Sequence, residues 1–420
     1  MARQMKDSGI EWIGEIPVDW SMKRVKHIFT RKNEKVMQEN PTILSLARDG
    51  VKVRDISNNE GQIAESYYNY NPVEKGDLLL NPMDLYSGAN CSISKVQGVI
   101  SPAYINLRAN AGINPTFYDY YFKVQYWLMV FFSYGKGVSY DNRWTLSAET
   151  LMNYPAVALS YEEQCKRANY LDRKCAQIDA IISKQQQIIE KLKEYKLSII
   201  TEAVTKGLDP NVPMKDSGVE WIGKIPEHWN ILKLQAHTRM LTPMRDRPEK
   251  LDGDIPWVRI EDYDGKYIST SKEGLGVSLE TVNEMNLKIY PVGSILCTSS
   301  CDLGKCAIVT RELVSNQRFI NIIPDLDTNS DYLYYLMLSN AKRLNHLSTG
   351  TIQANLSRKA FEHLMVQFPP FAEQKEIAEY LDKKCETVEL SIRKKQELID
   401  RLNLYKKSLI YETVTGKKEI

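Results

Sequence analysis

The chain carries an internal repeat, and this repeat limits the possible folds more strictly than any other feature. Residues 5–20, MKDSGIEWIGEIPVDW, return as residues 214–229, MKDSGVEWIGKIPEHW, at an offset of 209 (214 minus 5). Residues 170–205 return in the same way as residues 380–415, at an offset of 210 (380 minus 170). Self-similarity at a fixed spacing is typical of duplicated structural units. The chain is therefore predicted to consist of two tandem copies of one fold.

The segments between the repeated parts differ from one copy to the other. Residues 21–160 and 230–370 share only scattered landmarks. Their β-branched runs, their Gly and Pro residues and one or two short helical patterns predict compact α+β domains. We predict a first domain at 1–160, a helix at 161–208, a second domain at 209–370 and a second helix at 371–420.

A long helix is predicted in each copy. Residues 162–205 contain no Pro or Gly, and their apolar residues recur with alternating spacings of four and three. Forty-odd helical residues extend about 65 Å, and a narrow apolar stripe of that length is typical of paired helices. The predicted seam consists of Leu171, Ile178, Ile182, Ile189 and Leu192 in the first copy and Leu381, Val388, Ile392, Ile399 and Leu402 in the second.

The natural partner of each long helix is the other one. Antiparallel pairing would relate the copies by a pseudo-two-fold axis, which matches the symmetry of duplex DNA. The alternative is a pair of surface helices, each packed only on its own domain. The expected fold class is therefore α+β, with two domains separated by an antiparallel coiled coil.

The charge balance excludes a strong overall positive field. The chain has 55 Lys and Arg against 53 Asp and Glu, a formal net charge of +2. Any binding to nucleic acid must therefore rest on local patches. No apolar run approaches the roughly 20 residues that span a bilayer, and residues 1–12 lack the apolar stretch of a signal peptide. Together with seven cysteines, expected to be reduced thiols, these features predict a cytoplasmic protein.

The sequence offers no convincing catalytic site. It contains no Asn/Asp-Pro-Pro-aromatic motif of amino-methyltransferases, no glycine-rich dinucleotide fingerprint and no phosphate-binding loop. Residues 261–266 include a D-x-K pattern found in metal-dependent nucleases, but the pattern is very short, and a polar turn around Gly265 is the preferred explanation. Cys297, Cys301 and Cys306 lack the spacing of a zinc site and are interpreted as buried thiols, so no metal is expected. We therefore predict a chain that is not an enzyme.

The repeated motifs resemble one known family. The pattern SGxEWIGxIPxxW, followed in each copy by Glu-Gln and then by YLDxK at the long helix, is similar to Type I restriction-modification specificity subunits. In that family the variable halves are target recognition domains, and the helices form an antiparallel spacer. The resemblance implies binding to double-stranded DNA, to two modification subunits that methylate adenine, and to restriction subunits. It also implies S-adenosylmethionine, ATP and Mg²⁺ in those partners and no cofactor in this chain.

Polar and basic loops are the candidates for reading DNA. Base edges are recognised by Arg, Lys, Asn, Gln, Ser and Thr side chains, and phosphates by Lys, Arg and backbone amides. Loops 135–145 and 348–355 stand in matching places in the two copies, and 86–90 and 298–305 are further candidates. The candidate contacts are Lys136, Ser139, Tyr140, Asn142, Arg143, Thr298, Ser299, Lys305, Gln317, Arg318, Thr351, Gln353 and Asn355. Because the two domains differ, we expect an asymmetric, two-part DNA site.

Two alternatives remain open from the sequence. The first is a coiled-coil scaffold whose two domains bind proteins instead of DNA. The second concerns the repeated aromatic segment, in which Trp12 and Trp20 are echoed by Trp221 and Trp229. Aromatic side chains are enriched in cores and in interfaces alike, so this segment either packs within the chain or docks a partner subunit.

Overall fold

The computed structural model divides the chain into two compact units, Met1–Gln185 with Glu397–Ile420, and Gln186–Gln396. The structure describes residues 3–35, 41–55, 66–83, 85, 90–137, 144–243, 247–300, 303–347 and 356–420. Among these residues, no helix combines the length and the apolar character that crossing a membrane requires. Each unit contains one variable domain together with parts of both long helices, so the helices do not form a separate unit.

The first unit is built around a four-stranded antiparallel sheet in the order β4-β11-β8-β9. Its described strands are β1 (Met5–Asp7), β2 (Glu15–Pro17), β3 (Ser21–Arg24), β4 (Phe29–Lys32), β5 (Leu44–Ala47), β6 (Gly50–Val53), β7 (Asn71–Val73), β8 (Leu78–Leu80), β9 (Cys91–Ile93), β10 (Gly98–Ile100), β11 (Ile105–Ala109) and β12 (Pro155–Ala158). Its described helices are α1 (Pro115–Trp127), α2 (Val130–Ser133), α3 (Ala148–Asn153) and the first part of α4 (Tyr161–Lys206).

Helix α1 covers one face of this sheet because its sequence both starts a helix and supplies an aromatic face. The Asn114 side chain accepts a hydrogen bond from the Thr116 amide, and Pro115 occupies the first turn, where its missing N–H costs nothing. Tyr118 and Phe122, one turn apart, are completely buried. They join the same core as Trp20, so the repeated segment packs into the domain that follows it.

The second unit has a five-stranded sheet in the order β16-β23-β20-β21-β18 and a three-stranded sheet in the order β19-β17-β22. Its described strands are β13 (Met214–Asp216), β14 (Lys224–Pro226), β15 (Asn230–Lys233), β16 (Thr238–Leu241), β17 (Ile255–Val258), β18 (Tyr267–Ile268), β19 (Gly276–Val277), β20 (Ile295–Thr298), β21 (Cys306–Val309), β22 (Val314–Ser315), β23 (Phe319–Pro324) and β24 (Met365–Phe368). Its described helices are α5 (Leu279–Glu284), α6 (Ser330–Ser339), α7 (Ala341–Leu347), α8 (Arg358–Glu362) and part of α9 (Phe371–Val414).

The two long helices contact each other within each unit. In the first unit Arg167 donates to the Thr413 carbonyl at 2.8 Å, and twelve residues later on α4 Asp179 pairs with Lys406 at 2.6 Å. Because the contact on α9 moves backwards as the contact on α4 moves forwards, the helices run antiparallel. In the second unit Lys196 pairs with Glu389 at 2.5 Å.

These two ion pairs show the internal symmetry residue by residue. Glu389 is the counterpart of Asp179, and Lys406 is the counterpart of Lys196, both at the offset of 210. Each copy therefore supplies one acid and one lysine to the same pair of interactions. The expected α+β fold class, with a duplicated domain and two long helices that pair antiparallel, is confirmed.

The predicted seam positions lie on the inward side of the helices. Leu171, Ile178, Ile189, Leu381, Val388 and Ile399 are buried, and Ile182, Leu192, Ile392 and Leu402 are half-buried. The alternative of helices packed on their own domains is also partly realised. Leu171 belongs to the same core as the α1 aromatics, and Leu381 belongs to the core of the second unit. The apolar stripe of each long helix thus contacts both the other long helix and the core of a domain.

Candidate nucleic-acid interface

Backbone hydrogen bonds join three of the predicted DNA-reading segments at one edge of the second unit. The amide of Ser299 donates to the carbonyl of Arg318 at 2.8 Å, and the amide of Leu356 donates to the carbonyl of Ser299 at 2.8 Å. Strand pairing places Thr298 opposite Phe319 in the same ladder. The 298–305 turn, the turn that carries Arg318 and the residue that follows loop 348–355 are therefore neighbours.

The residues before strand β23 form a turn that projects two long polar side chains. The Asn316 side-chain oxygen accepts a hydrogen bond from the Arg318 amide at 3.1 Å, a local bond that Asn forms readily in turns. Gln317 and Arg318, at the tip of this turn, are both exposed. Their backbone is held from both sides while their side chains face solvent.

A cavity of about 300 Å³ opens beside this turn. Strands β17 and β22 pair in parallel, with Trp257 opposite Val314. The residues that follow these two strands therefore leave the sheet at the same end. The side chains that share the cavity are Arg247, Trp257, Arg259, Asn316, Gln317 and Arg318, with Glu261 also in its wall. We call this group the arginine cavity.

The electrostatics of the arginine cavity favour an anionic or electron-rich ligand. The Arg247 guanidinium lies over the buried Trp257 ring, 5.6 Å from its centroid. Arg259 contacts Glu273 at 2.7 Å, and that hydrogen bond raises the pKa of the guanidinium above its ordinary value. The Glu273 carboxylate compensates the charge of Arg259, and Glu261 lies in the wall, so Arg247 and Arg318 leave the cavity with an excess of positive charge.

The remaining predicted contacts of the second copy occupy different environments. Lys305 is exposed, whereas Ser299 is largely buried. Thr298 does not fit its predicted role, because its side chain is completely buried and its hydroxyl donates to the Lys305 carbonyl at 3.3 Å. It supports the 298–305 turn from inside. Thr351, Gln353 and Asn355 lie outside the described residues.

In the first unit, only the ends of the predicted reading loop belong to the described residues. Lys136 is exposed, and its backbone exchanges two hydrogen bonds of 2.9 Å with Thr145. The Trp144 indole donates to the Phe132 carbonyl at 2.8 Å. These contacts hold both ends of the loop on the domain. The candidates that lie outside the described residues are Ser139, Tyr140, Asn142 and Arg143, together with residues 86–89.

Arg247, Trp257 and Arg259 were not among the sequence candidates. The sequence candidates lie in loops that occupy matching places in both copies or that adjoin recognisable strands. Trp257 in β17 and Arg259, an extended residue directly after that strand, are two positions apart and so lie on one face, which is a visible signal. That this face lines a site depends on the parallel pairing of β17 with β22, whose partner residues are 57 positions apart (314 minus 257). The sequence alone does not reveal this pairing.

Asp262 and Lys266, two residues of the nuclease-like stretch 261–266, have partners within the domain. Asp262 is buried, and its carboxylate accepts hydrogen bonds from the Arg259 amide at 2.7 Å and the Lys272 amide at 2.8 Å. Lys266 pairs with Asp331 at 2.6 Å and with Asp382 at 2.5 Å. These contacts give both residues a structural role in holding the domain together.

Two sets of potential metal ligands lie among the described residues, and Cys301 lies outside them. Burial raises the pKa of the Cys297 thiol well above its ordinary value, which disfavours the thiolate that binds metals. Among the described residues, His237, Asp325 and Asp327 bring one ligand atom each within 4.8 Å of the others. The Asp325 carboxylate is already engaged by His237 at 2.9 Å and by Thr328 at 2.9 Å. Hydrogen bonds from His237 and from Thr328 to Asp325 are therefore sufficient to explain this cluster.

Comparison with known proteins points to the same residues. A family model described as the Type I restriction modification DNA specificity domain matches residues 237–399. This range contains the arginine cavity, the joined reading segments and the first part of α9. Over this range the chain is similar to Type I restriction-modification specificity subunits.

Individual relatives carry the same description. The Type I restriction enzyme MjaIX specificity subunit of Methanocaldococcus jannaschii is 32% identical over 189 residues, 44% of this chain and 44% of that relative. The MjaVIII specificity subunit of the same organism is 23% identical, over 96% of this chain and 93% of its own length. A solved chain from work on complex assembly and conformational transition of the type I R-M system shares the fold, with a TM-score of 0.72 at 13% identity. That similarity covers 96% of this chain and 99% of the solved chain.

Proposed function

We propose that this chain is the non-catalytic DNA-specificity subunit of a Type I restriction-modification complex. The observation that carries the proposal is the convergence of the reading segments with the arginine cavity, inside the range matched by the DNA specificity domain. Exposed Gln and Arg side chains on a rigid turn suit base edges, and neighbouring guanidinium groups suit phosphates. A protein-binding scaffold gives no reason for three arginines around one small cavity.

The duplication supports a two-part DNA site. Two domains of one fold but different sequence are suited to two half-sites that differ in sequence, and helix-paired copies suit the two-fold symmetry of the duplex. We propose an asymmetric bipartite target, with one part recognised by each domain.

The partners and cofactors follow from the same proposal. Two modification subunits that methylate adenine bind the chain, and restriction subunits join them in the cytoplasm. S-adenosylmethionine, ATP and Mg²⁺ act in those subunits, and this chain holds none of them. Because the net charge of the chain is only +2, its partners supply much of the phosphate contact.

Selection of DNA from a randomised duplex library tests this function. The chain is purified with co-expressed modification subunits, bound DNA is sequenced, and the chain alone is incubated with DNA and Mg²⁺ in parallel. We expect the complex to enrich a two-part asymmetric consensus, and the chain alone to bind more weakly at physiological salt and to cleave nothing. Absence of any consensus with the complex, or Mg²⁺-dependent cleavage by the chain alone, would contradict the proposal.

A further inference from the structure

We infer that Gln317 and Arg318 are the base-reading residues of the second domain, that Arg318 contacts a guanine, and that the first domain reads its half-site without an equivalent pair. This inference rests on the proposed function and adds the residues and the base. It follows from the turn, from the cavity beside it and from a comparison of the two copies.

The turn is suited to base recognition because its backbone is fixed and its side chains are not enclosed. The Asn316 side chain bonds to the Arg318 amide, and the Arg318 carbonyl accepts from Ser299. In the major groove an arginine forms two parallel hydrogen bonds to guanine, and a glutamine forms two to adenine. Adjacent Gln317 and Arg318 can therefore contact adjacent base pairs.

The cavity supplies the charge that positions DNA against this turn. Arg247 lies over the Trp257 ring, and Arg259 is held by Glu273, so both guanidinium groups are placed before DNA arrives. Phosphate contacts fix the register of a protein on the duplex without reading its sequence. We assign this positioning role to Arg247, which is exposed at the rim, and leave base reading to the tip of the turn.

The first domain has the same turn without these side chains. Ser101 stands 215 positions before Asn316 (316 minus 101), and its hydroxyl accepts a hydrogen bond from the Ala103 amide at 3.3 Å, as Asn316 does from Arg318. Both turns lead into the strand that pairs with two neighbours in its sheet, β11 or β23. Pro102 and Ala103 replace Gln317 and Arg318, and neither carries a side-chain hydrogen-bond donor or acceptor.

The test measures binding of the reconstituted complex to duplexes that differ at one base pair of the second half-site. With the unchanged chain we expect one guanine position at which substitution weakens binding roughly 5- to 150-fold. Arg318→Ala should abolish that discrimination at that position alone, and Gln317→Ala should do so at an adjacent adenine. Arg318→Lys should keep general affinity and still lose the guanine preference, because lysine lacks the planar fork of donors.

Arg311→Ala is the matched control. Arg311 is an exposed arginine of the same domain, but it precedes strand β22 whereas the reading turn follows it. We expect this variant to keep every base preference. Gel filtration of each complex checks that the substitutions leave assembly intact.

The possible failures are distinguishable. If the unchanged complex shows no base preference at all, the proposed function fails. If it shows preferences and Arg318→Ala retains all of them, or weakens binding to every duplex equally, the function stands and the assignment of Arg318 is wrong.

Discussion

Replacing Trp229 with alanine is expected to lower the free energy of unfolding of the second unit by about 3–5 kcal/mol. The Trp229 ring is completely buried, and its indole nitrogen donates to the Glu373 carboxylate at 2.8 Å. The substitution leaves a large cavity in the core and removes a hydrogen bond to a charged group. Urea unfolding followed by circular dichroism gives the total effect, and hydrogen exchange assigns it to residues 186–396.

Trp221 provides the matched control from the same repeated segment. Its side chain is 45% exposed, and the Arg343 guanidinium lies over its ring at 3.9 Å from the centroid. Loss of an exposed contact of this kind costs at most about 1 kcal/mol. If Trp221→Ala and Trp229→Ala destabilise the second unit equally, the repeated segment does not pack as described. The sequence left open whether the repeated segment packs within the chain or docks a partner subunit. Of these two tryptophans, Trp229 is buried in the core and Trp221 is exposed, so the two variants test these roles separately.

The second large effect is expected for Gly304→Ala, in the turn that carries Lys305. Gly304 has φ +93°, a conformation that residues with a side chain adopt at a cost of about 1–2 kcal/mol. A Cβ there would also lie 2.6 Å from the Cα of Ala341 and closer still to the Cβ of Ala341. The turn that contains Gly304 would therefore have to move away from helix α7. We expect a total loss of about 3 kcal/mol or more in the free energy of unfolding.

Gly265→Ala separates the two causes. Gly265 has φ +87°, yet nothing lies within 4 Å of the Cβ it would gain. This variant should therefore show only the conformational cost, about 1–2 kcal/mol. Urea unfolding of both variants measures the difference directly. A loss for Gly304→Ala no greater than that for Gly265→Ala would mean that the 298–305 turn does not rest on α7 as the structure shows.

Features encoded by short-range patterns could be predicted from the sequence. Leu171 and Leu381 belong to a periodic apolar stripe, and periodicity of this kind is set by the geometry of the helix itself. The near-identity of the two repeated segments likewise revealed the duplication. From these two signals the antiparallel helices and the two α+β domains followed without knowledge of any long-range contact.

The candidate site depends on contacts between residues far apart in sequence, and there prediction was less complete. The exposed turn at Gln317 and Arg318 was found because polar residues before a strand are visible locally. Thr298 was predicted to contact DNA, but its side chain is buried and bonds to the Lys305 carbonyl across a hairpin. Burial of this kind depends on tertiary contacts that the local sequence does not show. Arg247 and Arg259 were missed because the parallel pairing of β17 with β22 brings them beside Arg318.

Single-molecule sequencing of adenine methylation in host DNA, with the gene for this chain intact and deleted, tests the central claim most directly. We expect a two-part asymmetric motif to be methylated in the intact strain, to lose its methylation on deletion, and to regain it when the gene is restored. Unchanged methylation after deletion, in cells that express the modification and restriction subunits, would contradict the assignment of this chain as their DNA-specificity subunit.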